Sequence, residues 1–241
     1  MLFRQLFDHE SSTYTYLLAD DETREAALID PVLEQADRDL ELVRQLDLEL
    51  VHVLETHVHA DHVTAAARLR EKTGAHTVTG RPGPECADVH VGEGDVVRFG
   101  RVALRVLATP GHTDDSVSYL LVDPDRAERP GDRVFTGDAL LIRGAGRTDF
   151  QNGDAARLYD SITRALFALP DATLVYPAHD YRGLTVTTIG EEKRWNARVA
   201  GRSREEFVSA MSALHLPEPK RMRDAVPANR ACGRAPAPVQ G

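Results

Sequence analysis

Thr56-His57-Val58-His59-Ala60-Asp61-His62 packs four side chains able to bind a metal into one short stretch. The apolar run Leu50 to Leu54 before it reads as a buried strand, and an extended continuation aims His57 and His59 to one side. Val63 to Lys72 has helical periodicity with Gly74 as a left-handed stop, so Asp61 and His62 are expected in the first turn of that helix. A lone histidine needs no metal. Four ligand-type residues converging behind one strand make this stretch a candidate metal site.

Three more candidates stand at the ends of later apolar strands: His112 in Thr109-Pro110-Gly111-His112, Asp138 in Thr136-Gly137-Asp138, and His179 in Tyr176-Pro177-Ala178-His179. Strand ends are where a rigid scaffold presents functional side chains, and the adjoining glycine or proline fixes a tight turn. His52 alternates with valines inside a strand, and His9, His76, His90 and His215 have no partnered motif. These five are read as structural or exposed.

Outward from the motif, Thr13 to Leu18 and Ala26 to Ile29 flank a polar turn at 20–23 and predict a hairpin closed by Pro31. Residues 34–46 carry an amphipathic helical pattern. Strands are expected at 75–79, 96–99, 102–107, 117–122, 133–136 and 173–176, with a helix near 154–168. Strands followed by helices, twice over, predict a layered α/β fold. We expect a catalytic domain over 1–190, a helical extension over 191–233 packed on it, helical to about 213 and then proline-rich, and a flexible tail over 234–241.

A chain of 241 residues, 42% hydrophobic, can bury one sizeable core. Its net charge of −9 repels nucleic acid and anionic lipid, so neither is expected as a partner. Cys86 and Cys232 are too few for a disulfide framework and lack Cys-x-x-Cys spacing, so both read as small, partly buried thiols in a reducing cytoplasm. No signal peptide or membrane span is evident, and a soluble, unexported protein is expected.

The order His-x-His-x-Asp-His, then His, Asp and His at strand ends, resembles the metallo-β-lactamase superfamily, which implies an αββα sandwich with metal at one edge. Gly146-Arg147-Thr148-Asp149-Phe150-Gln151, the segment Tyr176 to Tyr181, and Ala225-Val226-Pro227-Ala228-Asn229 are similar to the persulfide dioxygenases within it, also called sulfur dioxygenases. That resemblance implies one Fe(II) per chain held by His57, His112 and Asp138, with His59, Asp61, His62 and His179 around it or forming an alternative second-metal site. Two imidazoles and a carboxylate match the facial triad of non-haem iron oxygenases, with three positions open. The implied reaction is oxidation of glutathione persulfide by dioxygen to sulfite and glutathione in persulfide catabolism; a homodimer is left open. Tyr181 resembles the family's tyrosine near the open positions. Arg147 suits glutathione carboxylates or anchors its own loop through Asp149. Ala145 departs from the cysteine of many relatives. The rival reading is a glyoxalase II-like hydrolase that cleaves a glutathione thioester between two metals.

Overall fold

The computed structural model describes residues 1–123 and 126–234. The chain lays down two six-stranded sheets, each with its strands in chain order. The first holds β1 (Leu2–Asp8), β2 (Thr13–Ala19), β3 (Glu25–Ile29), β4 (Glu49–Leu54), β5 (His76–Gly80) and β6 (Val89–Val91). The second holds β7 (Val96–Phe99), β8 (Val102–Ala108), β9 (Val117–Asp123), β10 (Arg126–Gly137), β11 (Leu174–Pro177) and β12 (Thr187–Thr188). The predicted hairpin is present as the antiparallel pair of β2 and β3, after which β3 to β6 run parallel.

Alternation along each strand assigns its two faces to different cores. In β2, Tyr14, Tyr16 and Leu18 point between the sheets, where they meet Phe99, Leu104, Tyr119, Phe135 and Tyr176. Leu17 and Ala19 point outward beneath α1 (Ala36–Gln45) and α2 (Ala66–Thr73), beside Val43 and Leu69. Across the molecule, α3 (Ala155–Asp160), the π-helical turn Ser161–Leu166, α4 (Ile189–Trp195) and α5 (Arg204–Ser212) cover the second sheet with Leu158, Ile162, Ile189 and Phe207. Both sheets are therefore buried on two faces. This is the αββα sandwich that the family resemblance implied, and it fits the layered α/β fold expected from the strand-and-helix order.

Four local expectations need correction. The helix after the metal-type motif starts at Ala66, so Asp61 and His62 lie in an irregular loop rather than in a first helical turn. The loop is held open because Thr64 bridges to Val32 and donates its Oγ1 to Glu55. Its C-terminal stop is as predicted: Gly74 has φ of 79° and caps α2. Helix over 191–213 is interrupted between α4 and α5, where Asn196 turns its amide to the carbonyl of Gly144 at 2.9 Å, and α5 restarts on a Ser203–Glu206 capping box. The proline-rich end contains a helix, α6 (Met222–Arg230), with Pro227 inside it.

The fourth correction concerns the cysteines. Cys86 and Cys232 form a disulfide across a separation of 146 residues. α6 buries Ala225 and Ala228 against Val63, with Leu33 packed beside them, and that packing carries Cys232 to the turn between β5 and β6 where Cys86 sits. A bonded pair does not support the reducing compartment that two free thiols suggested. Among the described residues, no helix is long and apolar enough to cross a membrane. The predicted tail, except for Arg234, lies outside the described residues.

Candidate metal centre

The seven candidates converge at one edge of the sandwich, where β4, β8, β10 and β11 end. His57, His112 and Asp138 form one group and His59, Asp61, His62 and His179 another, each with its ligand atoms within 4.8 Å of one another. The ring centres of His57 and His59 are 4.0 Å apart, and those of His57 and His112 4.8 Å. His52, His76, His9, His90 and His215 stay outside both groups. His90 Nε2 donates to the carbonyl of Pro84, 2.9 Å away, as a structural contact.

Hydrogen bonding assigns the ring protons of the first group. His112 Nδ1 lies 2.7 Å from the carbonyl oxygen of Arg147, which can only accept, so Nδ1 carries the proton and Nε2 the lone pair. Thr56 Oγ1 donates to Asp30 Oδ2 at 2.8 Å, which leaves it to accept from His57 Nδ1 at 3.0 Å and again frees Nε2. Asp138 uses Oδ1 to accept from His179 Nδ1 at 2.7 Å, while Oδ2 faces His112 Nε2 at 3.6 Å. Two imidazole lone pairs and one carboxylate oxygen are thus unspent. Gly146 is needed here, since a Cβ at that position would sit 2.8 Å from His112 Nδ1 and 2.4 Å from the carbonyl oxygen of Asp138.

The second group is wired differently. Both nitrogens of His179 face carboxylates, Nδ1 against Asp138 and Nε2 against Asp61 Oδ2 at 3.0 Å. Asp61 Oδ2 also accepts from His62 Nδ1 at 2.8 Å and from the hydroxyl of Thr13 at 3.2 Å. Burial disfavours charge on His179, but Asp138 and Asp61 outweigh it and hold the imidazole well above its ordinary pKa. Burial likewise opposes ionisation of Asp138, and the His179 cation overrides it, keeping the carboxyl below the usual range. His57 is driven the other way, well below its ordinary value, by burial and by the neighbouring His59 and His112 rings. Behind the loop, burial and the nearby Asp30 carboxylate raise Glu55 to about 8, while Asp30, Asp61 and Glu55 overcome burial to lift His59 to about 9.

These residues fit a metal cation. His59 Nδ1 and His62 Nε2 are buried without a hydrogen-bond partner, and His59 Nε2 meets the Asp30 carboxylate at 3.2 Å. Several supporting residues were assigned no role from the sequence. Thr13 reaches the centre because β2 bridges to His179, and Gln151 donates to the carbonyl of Val58 at 2.7 Å. Asn229 belongs to a quoted motif but was assigned no role there; its amide donates to the carbonyls of His59 and His62 at 2.9 and 2.8 Å.

Tyr181 and Arg147 stand at the rim. Tyr181 is 72% exposed, and its ring lies parallel to that of His179 with centres 6.2 Å apart. Arg147 forms a two-point contact with Asp149 at 2.7 Å each, donates to the carbonyls of Pro217 and Leu216, and lies over the Phe150 ring. Ala145 packs against the outer apolar core.

The family model of the metallo-beta-lactamase superfamily matches residues 10–84 and 87–179. The mitochondrial persulfide dioxygenase ETHE1 of Mus musculus is 51% identical over 97% of this chain and 89% of its own. The crystal structure of ETHE1 from Myxococcus xanthus superposes with a TM-score of 0.93 at 65% identity, covering 97% of this chain and all of that one. A hydroxyacylglutathione hydrolase from a Bradyrhizobium strain is 35% identical over 81% of this chain and 75% of its own. The mouse relative's mitochondrial location lends nothing to a cytoplasmic reading of this chain. With the sandwich, the seven convergent metal-type side chains and these likenesses together, the chain belongs to the metallo-β-lactamase superfamily and, within it, to the persulfide dioxygenases.

Proposed function

We propose that this enzyme oxidises glutathione persulfide with dioxygen at one ferrous ion per chain, held by His57, His112 and Asp138, in the breakdown of sulfide and persulfides. The observation that carries the single-metal reading is His179: Nδ1 lies 2.7 Å from Asp138 Oδ1 and Nε2 3.0 Å from Asp61 Oδ2, so both its ring nitrogens face carboxylates rather than an open position. His57 and His112 each keep a lone pair on Nε2. Iron, when bound, offers adjacent positions for a thiolate sulfur and dioxygen and makes their spin-restricted reaction accessible.

The chain's own groups do the rest. Thr56 and the Arg147 carbonyl fix the two ligand rings in orientation and tautomer. Asp61, His62, His179 and Thr13 form a hydrogen-bonded web that holds Asp138 from behind. Tyr181 is the group we assign to hydrogen-bonding the substrate. Arg147, whose guanidinium is spent on Asp149, Pro217 and Leu216, is assigned to anchoring the rim. One dioxygen and one water are consumed per persulfide, yielding sulfite, glutathione and two protons. We also propose that 1–190 is the catalytic body and 191–233 an extension packed on it through Phe207 and α6.

A dinuclear thioester hydrolase is the second reading, favoured by the unpartnered nitrogens of His59 and His62. Oxygen uptake with glutathione persulfide, run beside hydrolysis of a glutathione thioester, tests the two. We expect uptake with sulfite formed and no hydrolysis; the reverse pattern selects the hydrolase.

A further inference from the structure

The loop that carries His59, Asp61 and His62 is held from the far end of the chain. Asn229, on α6, donates from Nδ2 to the carbonyls of His59 and His62 and accepts at Oδ1 from the amide of Thr64 at 2.8 Å. Its side chain is buried, and no other single side chain described here ties three backbone groups of the loop. Three residues on, the carbonyl of Cys232 accepts from the amide of Ala67 at 3.0 Å, in the first turn of the helix that follows the loop. Cys232 has φ of 57°, an uncommon conformation for a residue with a Cβ that persists when its surroundings enforce it. The disulfide to Cys86 supplies such enforcement, joining α6 to the turn between β5 and β6.

We propose that the Cys86–Cys232 bond is a thiol-sensitive latch on the metal centre, with Asn229 as the positioning residue it keeps in place. Cys86 is half-buried and Cys232 buried, so an incoming thiolate meets the Cys86 sulfur first. Its attack breaks the protein S–S bond and expels Cys232 as a thiolate. A second thiol resolves the mixed disulfide at Cys86. Two small thiols are thereby oxidised to one disulfide and give their protons to the two protein sulfurs. With α6 untied, its hold on the loop rests on the Asn229 and Cys232 hydrogen bonds, the Arg221–Glu34 ion pair at 2.6 Å and the small contact of Ala225 and Ala228 with Val63 and Leu33. Glutathione, the thiol released by the proposed reaction, is of the class that opens such a latch. The inference rests on the metal site assigned above, but the loop's behaviour can be read without metal.

The test compares oxidised protein, protein reduced with dithiothreitol, Cys86→Ser and Asn229→Asp. Hydrogen exchange at the Thr64 amide, measured in metal-free protein, should quicken by about fivefold or more on reduction and in Cys86→Ser, with β9 amides unchanged. In iron-loaded protein the same two should release iron to a ferrous chelator faster, and dithiothreitol should have no further effect on Cys86→Ser. Asn229→Asp keeps the acceptor for Thr64 but loses both donors. It should release iron faster with the disulfide intact and alter the visible spectrum of the cobalt(II)-loaded protein, a ligand-geometry signature that mere loss of stability does not move. Equal Thr64 exchange and iron release in oxidised and reduced protein would overturn the proposal, as would quickening shared equally by β9. Quickened Thr64 exchange in a chain that binds no iron would uphold the latch and remove the metal reading instead.

Discussion

His112 and Asp61 belong to different groups of the same centre and have unlike duties. His112 offers Nε2 because the Arg147 carbonyl holds its other nitrogen, whereas Asp61 commits its Oδ2 to His62, His179 and Thr13. His112→Ala should therefore abolish iron retention and oxygen uptake together, while Asp61→Ala keeps most of its iron. Metal analysis of the purified variants checks this, and equal loss from both contradicts the assignment. Tyr181→Phe removes a hydroxyl and almost no volume, and a lost neutral hydrogen bond is worth ~0.5–1.5 kcal/mol. We expect kcat/KM to fall by about threefold to tenfold with iron unchanged, read by oxygen consumption; unaltered kinetics would leave the ring a packing role against His179. The convergence of the seven candidate residues was legible in the sequence because each follows an apolar strand. Thr13 and Asn229 were not, since their importance comes from hydrogen bonds to residues 48 and more positions away.

Among the elements, α1 carries a testable anomaly. Asp39 is buried on it, with Arg38 Nε donating to Oδ1 at 2.8 Å while Oδ2 is unpartnered. Burial, only partly offset by Arg38, raises its pKa from 3.8 to about 6. A raised carboxyl pKa means that folding favours the protonated form. That contribution is full below pH 3.8 and is lost as pH rises through about 6. A difference of about 2 in pKa corresponds to roughly 3 kcal/mol. Asp39→Asn should thus raise stability at pH 8 by about 1–3 kcal/mol and by much less at pH 4, in urea melts at both pH values. A gain of equal size at both would point to a packing effect. The amphipathic pattern located this helix well, but it could not tell that position 39 faces inward, because a charged residue reads as solvent-facing until the neighbouring β1 is in place. The same limit explains α2: periodicity extends back to Val63, yet contacts from Val32, Glu55 and Asn229 keep 61–65 out of the helix.

At the scale of the molecule, the layered α/β fold was legible because strand and helix periods alternate along the chain, its two-sheet form came from the family resemblance, and the clustering at one edge was legible because the candidate residues follow successive strand ends. The disulfide was not, since a pairing across 146 residues depends on where α6 docks. The central claim is that His57, His112 and Asp138 hold one metal ion, while His179 and Asp61 are committed to hydrogen bonds with each other, with His62 and with Asp138. Metal content of protein purified without added metal, set against oxygen uptake with glutathione persulfide on the same sample, tests it most directly. The account predicts close to one iron per chain, little zinc, and uptake proportional to iron. Two metal ions per chain, with thioester hydrolysis in place of oxygen uptake, would contradict it.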